Sequence, residues 1–388
     1  MKLMLSALAM AGCALSAAPA IAQTQGVSKT EVLFGTIQDL SGPIAAYGKS
    51  SRNGMQLYVS EVNEQGGING RKIKLAVEDS AYDPKKGVLA TQKLVQQDKI
   101  FAMVGVMGTS VAMASMPILF EKNIPNLAPI TAARQMYEPL HKLKYSFAAT
   151  YFDQMRSAVK HLNKDKADRK WCIIYQDDDF GNEFVAGAEA GLKEVGKTLT
   201  EKTSYKRGAT EFSSQVQKMK GAGCDTVLMG TIIRETVGTM AEARKIGWTP
   251  QFIGSSAAYT HLIHQLGGPM ANGLMATHTV GHPYLDDASE KIRFWANKYK
   301  TMFNENPDVF SVYGYLIMDQ TIKALEKAGT NLTVESYIKA MDSLVVEPDM
   351  FGADRVTYTP TKHLGSNKSR LSVIKDGRWT VMSGYVEP

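Results

Sequence analysis

The sequence predicts an α/β protein made of two successive, doubly wound halves. Three observations predict it. From Glu31 onward short apolar runs alternate with longer amphipathic stretches, the series restarts at Trp171 after a complete first set, and no low-complexity linker separates the sets. At 388 residues the chain is also long for a single core, because domains run to roughly 150 residues each.

The elements follow in order. Val32–Ile37 reads as a strand, and Asn53–Glu64 as a helix with Met55, Tyr58, Val59 and Val62 at helical spacing, ended by Gly66-Gly67. Strand Lys72–Glu78, helix Pro84–Gln97, strand Phe101–Val106 and helix Val111–Glu121 come next, and strands Ile124–Ala128 and Tyr145–Ala149 complete a first sheet. The second set runs strand Trp171–Tyr175, helix Glu183–Val195, strand Thr198–Thr203, helix Ser213–Lys220 and strand Thr226–Gly230. Helix Thr236–Ile246, strand Phe252-Ile253, helix Leu262–Leu266 and strand Leu274–Val280 carry it on. After His282-Pro283 the character is helical, at Ser289–Phe303, Val312–Ala328 and Val334–Leu344. Arg370–Lys375 and Trp379–Tyr385 around Asp376-Gly377 read as a β-hairpin. These late elements must return to sheets already built, which implies a hinge between packed lobes.

Composition bounds the partners. Residues 1–22 place Lys2 before an apolar run ending in Ala20-Ile21-Ala22, a small-x-small cleavage pattern, so a secretory signal peptide is expected and Gln23 begins the mature chain. Ser6, Ser16 and Pro19 interrupt that run, which argues against the competing membrane anchor. Lipidation at Cys13, in Met10-Ala11-Gly12-Cys13, is a further alternative. The formal charge of +6 loses one unit with Lys2, and the basic residues are interspersed with acids, which argues against a nucleic-acid partner. Cys172 and Cys224 remain, each at the edge of an expected strand; pairing and two separate buried thiols are both open.

Gly35-Thr-Ile-Gln-Asp-Leu-Ser-Gly-Pro43, Tyr47-Gly48 and Asn63-Glu-Gln-Gly-Gly-Ile-Asn-Gly-Arg71 closely resemble the leucine/isoleucine/valine-binding proteins of ABC transporters. The likeness continues through Asp79-Ser80, Val104-Gly105 to Ser110, Ile124-Pro125, Tyr175-Gln-Asp-Asp-Asp-Phe-Gly181, Lys220-Gly-Ala-Gly-Cys-Asp225 and Gly230, and Phe310-Ser-Val-Tyr-Gly-Tyr315 is similar to a helix that closes the family's first lobe. The resemblance implies a type I periplasmic binding fold, in which two doubly wound parallel-sheet lobes face each other across a cleft and a three-segment hinge joins them. Residues 27–148 and 281–355 would form the first lobe, 149–280 and 356–388 the second. It further implies a periplasmic monomer, not an enzyme and without a cofactor, that captures a small carboxylate-bearing ligand by hinge closure and presents it to an ABC transporter permease. A ligand-sensing receptor domain of the same fold is the alternative.

In doubly wound sheets ligands sit beyond the carboxyl ends of the strands, where helix N-termini favour anions. Positions matching the family's carboxylate-holding loops are Met107 to Ser110 and Ile130 to Ala133, so Thr109, Ser110 and Thr131 with nearby N–H groups are expected to hold a carboxylate. The same hydroxyls suit helix capping, and the two roles are compatible. Tyr47 and Tyr151 fall at ligand-side positions, although aromatic residues also fill cores. Phe180 stands where many relatives carry a tyrosine over the ligand.

The resemblance also has departures. Amino-acid binders of the family hold the ligand ammonium with a carboxylate in the loop that here reads Gly254-Ser-Ser-Ala-Ala-Tyr259, with no acid. Desolvating an ammonium without a counter-charge would cost several kcal/mol; Glu235 or Asp153 is a candidate substitute. Thr231-Ile-Ile-Arg234 is more apolar than its counterparts and leaves Arg234 or Arg134 for a carboxylate. The expected ligand therefore has a carboxylate, an apolar or aromatic body and no free α-ammonium, covered on closure by Phe180, Thr231 and Ser256. An amino acid is the alternative.

Other motifs point away from chemistry. Gly42-Pro-Ile-Ala-Ala-Tyr-Gly-Lys-Ser50 approaches a phosphate-binding loop, but it has one residue too many between its glycines and Pro43 removes a donor. His261 with His264, and His278 with His282, lack a recognised zinc spacing and read as surface or hinge histidines, so no metal is expected. Asp177-Asp-Asp179 reads as a solvated or capping cluster, and neither a Gly-x-Ser-x-Gly elbow nor a His-Glu-x-x-His helix occurs.

Overall fold

The computed structural model describes residues 24–388. The signal peptide and Cys13 expected from sequence lie outside the described residues.

A first set of elements runs β1 (Glu31–Gln38), α1 (Ala45–Glu64), β2 (Lys72–Asp79), α2 (Pro84–Gln96), β3 (Ala102–Val104), α3 (Thr109–Glu121), β4 (Asn126–Leu127) and β5 (Lys144–Tyr145). The five strands pair in the order β2-β1-β3-β4-β5, all parallel. The second set runs α4 (Tyr151–Asp165), β6 (Trp171–Gln176), α5 (Asp179–Glu194), β7 (Glu201–Tyr205), α6 (Ser213–Gly221), β8 (Thr226–Gly230), α7 (Ile233–Lys245), β9 (Gln251–Gly254), α8 (His261–Gly267) and β10 (Met275–His278). The chain then supplies α9 (Glu290–Phe303), α10 (Val309–Ala328), α11 (Val334–Met341), β11 (Val345–Val346) and β12 (Val356–Thr357), and finally β13 (Arg370–Lys375) and β14 (Arg378–Val381). The second sheet has the order β14-β13-β10-β9-β8-β6-β7, parallel except at β13 and β14. Short parallel strands that are buried throughout explain the apolar runs Trp171–Ile174 and Thr226–Gly230.

The fold is thus two doubly wound lobes crossed by three straps. After β5 the chain passes to α4, and after β10 it returns to α9. The third crossing lies later than the expected boundary at residue 355. β12 pairs with β11, Ser146 bridges Leu364, and Gly365 donates to the Ser146 carbonyl, so the last strap leaves the first-lobe side beyond residue 364.

Helix α4 is an element the residue pattern had not been read to contain. Met155, Ala158, Val159 and Leu162 are buried on one face, and Thr150 caps it by accepting from the Asp153 N–H. Helix α1 begins at Ala45, eight residues before the expected start. Its early turns hold Tyr47, Gly48 and polar Ser50 and Ser51, all buried, which an apolar-spacing criterion passes over. The hairpin holds as expected, with Lys375 opposite Arg378 and both Asp376 (φ 49°) and Gly377 (φ 70°) in the left-handed region that a two-residue turn requires.

The two lobes repeat one device at the cleft. Asp39, just past β1, accepts from the Gly42 and Ile44 N–H groups, and Asp178, just past β6, accepts from those of Phe180 and Gly181. Each turn delivers an aromatic residue followed by glycine. A Cβ at Gly48 would lie 1.8 Å from the Asp39 carbonyl oxygen, and one at Gly181 would lie 1.8 Å from that of Gln176. Only glycine lets the helix sit this close to its strand, and that approach aims Tyr47 and Phe180 into the space between the lobes.

Candidate functional site

The lobes meet over a buried, largely aromatic cleft. Two small connected spaces occupy it, about 40 and 30 Å³, sharing Ile130, Thr131, Tyr151, Ala257 and Phe310 as walls. The first lobe contributes Tyr47, Tyr82, Phe310 and Tyr313, and the second Tyr151 and Phe180. The Tyr47 ring stacks on Phe310 with centroids 3.7 Å apart, and its hydroxyl donates across the cleft to the Ala257 carbonyl at 2.7 Å. Tyr151 meets Phe180 edge-on at 5.2 Å and stacks on Phe184 at 4.6 Å. Spaces this small hold a few waters at most. An organic solute of ordinary size can enter only after the lobes separate or the rings swing.

The polar groups of the cleft are few and neutral. Thr109 opens α3, Thr131 follows β4, and their hydroxyls lie 2.6 Å apart, both buried. Gly108, with φ 92°, turns the chain into α3, whose first N–H groups have no helical acceptor and favour an anion. Opposite, Ser256 accepts from Gln154 Nε2 at 3.0 Å, and Gln154 Oε1 in turn accepts from the Ser256 N–H and from Thr277. Burial pushes the Tyr151 phenol up to about 12 and drives those of Tyr47, Tyr82 and Tyr313 higher still, so all remain neutral hydrogen-bonding groups at physiological pH. Neither space has a charged side chain among its walls.

The expected site residues divide. Tyr47, Met107, Thr109, Thr131, Tyr151, Phe180 and Ser256 all reach the cleft spaces. Ser110 does not line them: one step around α3 from Thr109, its hydroxyl accepts from Arg207 Nη2 at 2.8 Å. Thr231 is buried in a 2.6 Å contact with Thr236 and spends its hydroxyl inside its own lobe. Arg234 points outward, its side chain 45% exposed and 3.7 Å from Glu235, so it does not serve a carboxylate in the cleft. Arg134 is also committed elsewhere, to Glu183.

Tyr82, Gln154, Phe310 and Tyr313 are cleft residues that the sequence reading did not select. Phe310 and Tyr313 sat in a motif already singled out, and their spacing of three placed them on one helical face. Of the possible ammonium partners, Asp153 is hydrogen-bonded to Thr150. Glu235 is 1% exposed, and its Oε2 has no partner.

Paired contacts hold the lobes together around this cleft. Arg207, after β7, bonds Asp178 of its own lobe at 2.6 Å and reaches over to the Tyr82 carbonyl at 2.7 Å. Arg134, after β4, makes two 3.0 Å bonds to Glu183 of α5. At the hinge, Asp308 caps α10 and meets Thr260, His261 and His282. The histidines are therefore not simply surface groups, and His278 is buried against Ser372 and the Val280 carbonyl. Cys172 of β6 and Cys224 form a disulfide with Cα atoms 6.0 Å apart. No helix among the described residues is long and apolar enough to cross a membrane.

Two doubly wound lobes, three crossing straps and a buried cleft between strand ends define a type I periplasmic binding protein fold. The sequence profile of the periplasmic binding protein family matches residues 31–378, and the chain belongs to that family. It is similar to Leu/Ile/Val-binding protein homolog 3 of Brucella melitensis, 25% identical over 90% of this chain and 92% of the relative. A Leu/Ile/Val-binding protein of Rhizobium johnstonii is also 25% identical, over 89% and 92%. Among solved structures, a fatty acid ABC transporter substrate-binding protein from Thermomonospora curvata superposes with a TM-score of 0.84 at 22% identity, covering 94% of this chain and 95% of that one. A branched chain amino acid ABC transporter from Thermus thermophilus with bound valine gives 0.82 at 16% identity, covering 94% and 97%.

Proposed function

We propose that this protein is an extracytoplasmic solute-binding component of an ABC importer, and that it captures a small acid with an apolar or aromatic body by closing its lobes on it. One observation carries the choice of ligand: the cleft is walled by aromatic rings and neutral hydroxyls, with no charged side chain on the surface of either space. A carboxylate finds donors in Thr109, Thr131 and the first turn of α3. An α-ammonium finds no carboxylate at the Ser256 position, and desolvating it there would cost several kcal/mol. Among the described residues Glu235 is the one buried acid with an unpaired oxygen to support the rival reading of an amino acid. The curated relatives named as leucine-, isoleucine- and valine-binding proteins support the solute-binding role. The fatty-acid protein among the solved structures shares the fold with the valine-bound one, so the fold alone admits either chemistry.

Thermal-shift screening of the mature chain against aromatic acids, aliphatic acids and the common amino acids tests this. Stabilisation by one or more simple acids, and none by leucine, isoleucine or valine, is the expected result. Stabilisation by those amino acids but by no simple acid refutes the ligand assignment, and no response to any solute refutes the binding role.

A further inference from the structure

We propose that His261, His282 and Asp308 form a zinc site that ties the two lobes and a hinge strap together. The three residues come from separate parts of the fold. His261 is the first residue of α8 in the second lobe, His282 lies in the strap between β10 and α9, and Asp308 is the N-cap of α10 in the first lobe. Nothing in the spacing of 21 and 26 residues between them marks a metal motif, so only folding brings them together. One donor atom from each lies within 4.8 Å of the others.

The geometry suits a metal better than a hydrogen-bonded cluster. His261 Nδ1 is 3.1 Å and His282 Nε2 is 3.2 Å from the same Asp308 oxygen, Oδ1. Both nitrogens are within reach of that oxygen, yet neither makes a well-directed hydrogen bond to it. A tetrahedral zinc ion with bonds of about 2.0–2.2 Å keeps neighbouring donor atoms roughly 3.3–3.6 Å apart, close to these separations. Leaving buried ring nitrogens unsatisfied is costly, whereas a shared ion satisfies them together. The side chains of His282 and Asp308 are each only 4% exposed, so little water reaches them.

The surroundings orient the carboxylate and place a fourth donor nearby. Thr260 Oγ1 donates to Asp308 Oδ2 at 2.8 Å, which orients the carboxylate so that Oδ1, which takes only a long 3.4 Å bond from the His261 N–H, faces the two rings. His264 lies one turn further along α8, its ring 6.4 Å from that of His261, with its own Nδ1 unpaired. His264 or a water completes four-coordination. Two neutral imidazoles and one carboxylate suit a first-row divalent ion of borderline softness. Because the donors span both lobes and a strap, the ion binds the closed arrangement preferentially, and solute and zinc must each raise the other's affinity.

The test uses the mature chain, purified without a histidine tag and stripped with EDTA. Zinc is titrated in competition with a chromophoric chelator, and Co(II) replaces it for visible spectroscopy. One equivalent of zinc, a tetrahedral Co(II) absorption band and a higher melting temperature with zinc are expected. His261→Ala and His282→Ala should each weaken zinc binding at least tenfold, and Asp308→Asn, which retains an amide for Thr260 and for the helix cap, should do the same. His161→Ala, on α4 and away from the cluster, should leave binding unchanged. No zinc retention, or equal retention by wild type and all three ligand variants, overturns the site. None of these readouts depends on the identity of the organic ligand.

Discussion

Arg134 offers a direct way to separate lobe closure from folding. Its guanidinium makes two 3.0 Å bonds to Glu183 across the lobe boundary, and its own N–H gives a third at 3.1 Å. Glu183 is 4% exposed at the side chain and Arg134 is 30%. Removing one partner of a fully buried pair costs about 3–5 kcal/mol. Here water reaches the arginine, and Gln135 together with the residue-134 N–H would still donate to the stranded carboxylate. About 2 kcal/mol is therefore the reasonable cost of Arg134→Ala. When the lobes part, Glu183 regains water, so the cost falls on the closed state alone. Apparent affinity for a captured solute should drop by up to roughly 30-fold, and by less to the extent that the solute-free wild type is already closed. Calorimetry with the tightest solute from the screen reads this, and small-angle scattering of the solute-free variant should show a larger radius of gyration than wild type. A double-mutant cycle with Glu183→Ala should return a coupling of at least about 1 kcal/mol. Unchanged affinity and unchanged scattering would refute the idea that this pair holds the closed state.

Three further outcomes follow from the site and the core. Thr109→Val with Thr131→Val removes both partners of a buried contact without changing shape, so the solute-free melting temperature should hold, while carboxylate affinity falls by about 2–3 kcal/mol, or roughly 30- to 150-fold, by calorimetry; undiminished binding would exclude these hydroxyls. Burial raises the Glu235 carboxyl above its ordinary value of 4.5. The folded chain therefore holds that proton to higher pH than the unfolded chain, and stability is lost as pH rises from about 4.5 through the folded value. Glu235→Gln should raise the melting temperature at pH 8 and do little at pH 4, and the reverse pattern would contradict the assignment. The Cys172–Cys224 link closes a loop of 52 residues, which in the chain-entropy account stabilises by about 4 kcal/mol. Denaturant midpoints with and without reductant check it, and no difference between them would count against the link.

Much of the architecture was legible because buried parallel strands leave contiguous apolar runs, as at Trp171–Ile174, and because Asp376-Gly377 can serve few roles but a tight hairpin. Helix α4 was also written in the residues, with Thr150 as cap and apolar positions at 155, 158, 159 and 162. Its apolar positions are few and separated by polar and charged residues, so the stretch is as compatible with a surface loop as with a helix that buries one narrow face. The strand-end hydroxyls Thr109 and Thr131 were selected by matching the family's carboxylate-holding loops, at the strand ends where such folds place ligands, and both line the cleft. Ser110, Thr231 and Arg234 were not separable from them, since matching a loop to the family locates the loop and not the direction of each side chain. Adjacent residues on a helix point about 100° apart, so Thr109 can face the cleft while Ser110 faces Arg207. The meeting of His261, His282 and Asp308 was out of reach, because it depends on three segments far apart in sequence that only folding brings together.

The order in which the lobes draw on the chain constrains how the molecule is made. Helices α9 to α11 complete the first lobe, yet the polypeptide reaches them only after it has passed through nearly all of the second, and β13 and β14 arrive last of all. A ribosome or an export channel that delivers the chain from its N-terminus therefore releases two unfinished bodies with apolar surface showing until the final residues emerge. Such a molecule must stay unaggregated through almost its entire synthesis and then settle late, with both halves completing within the last fifth of the sequence.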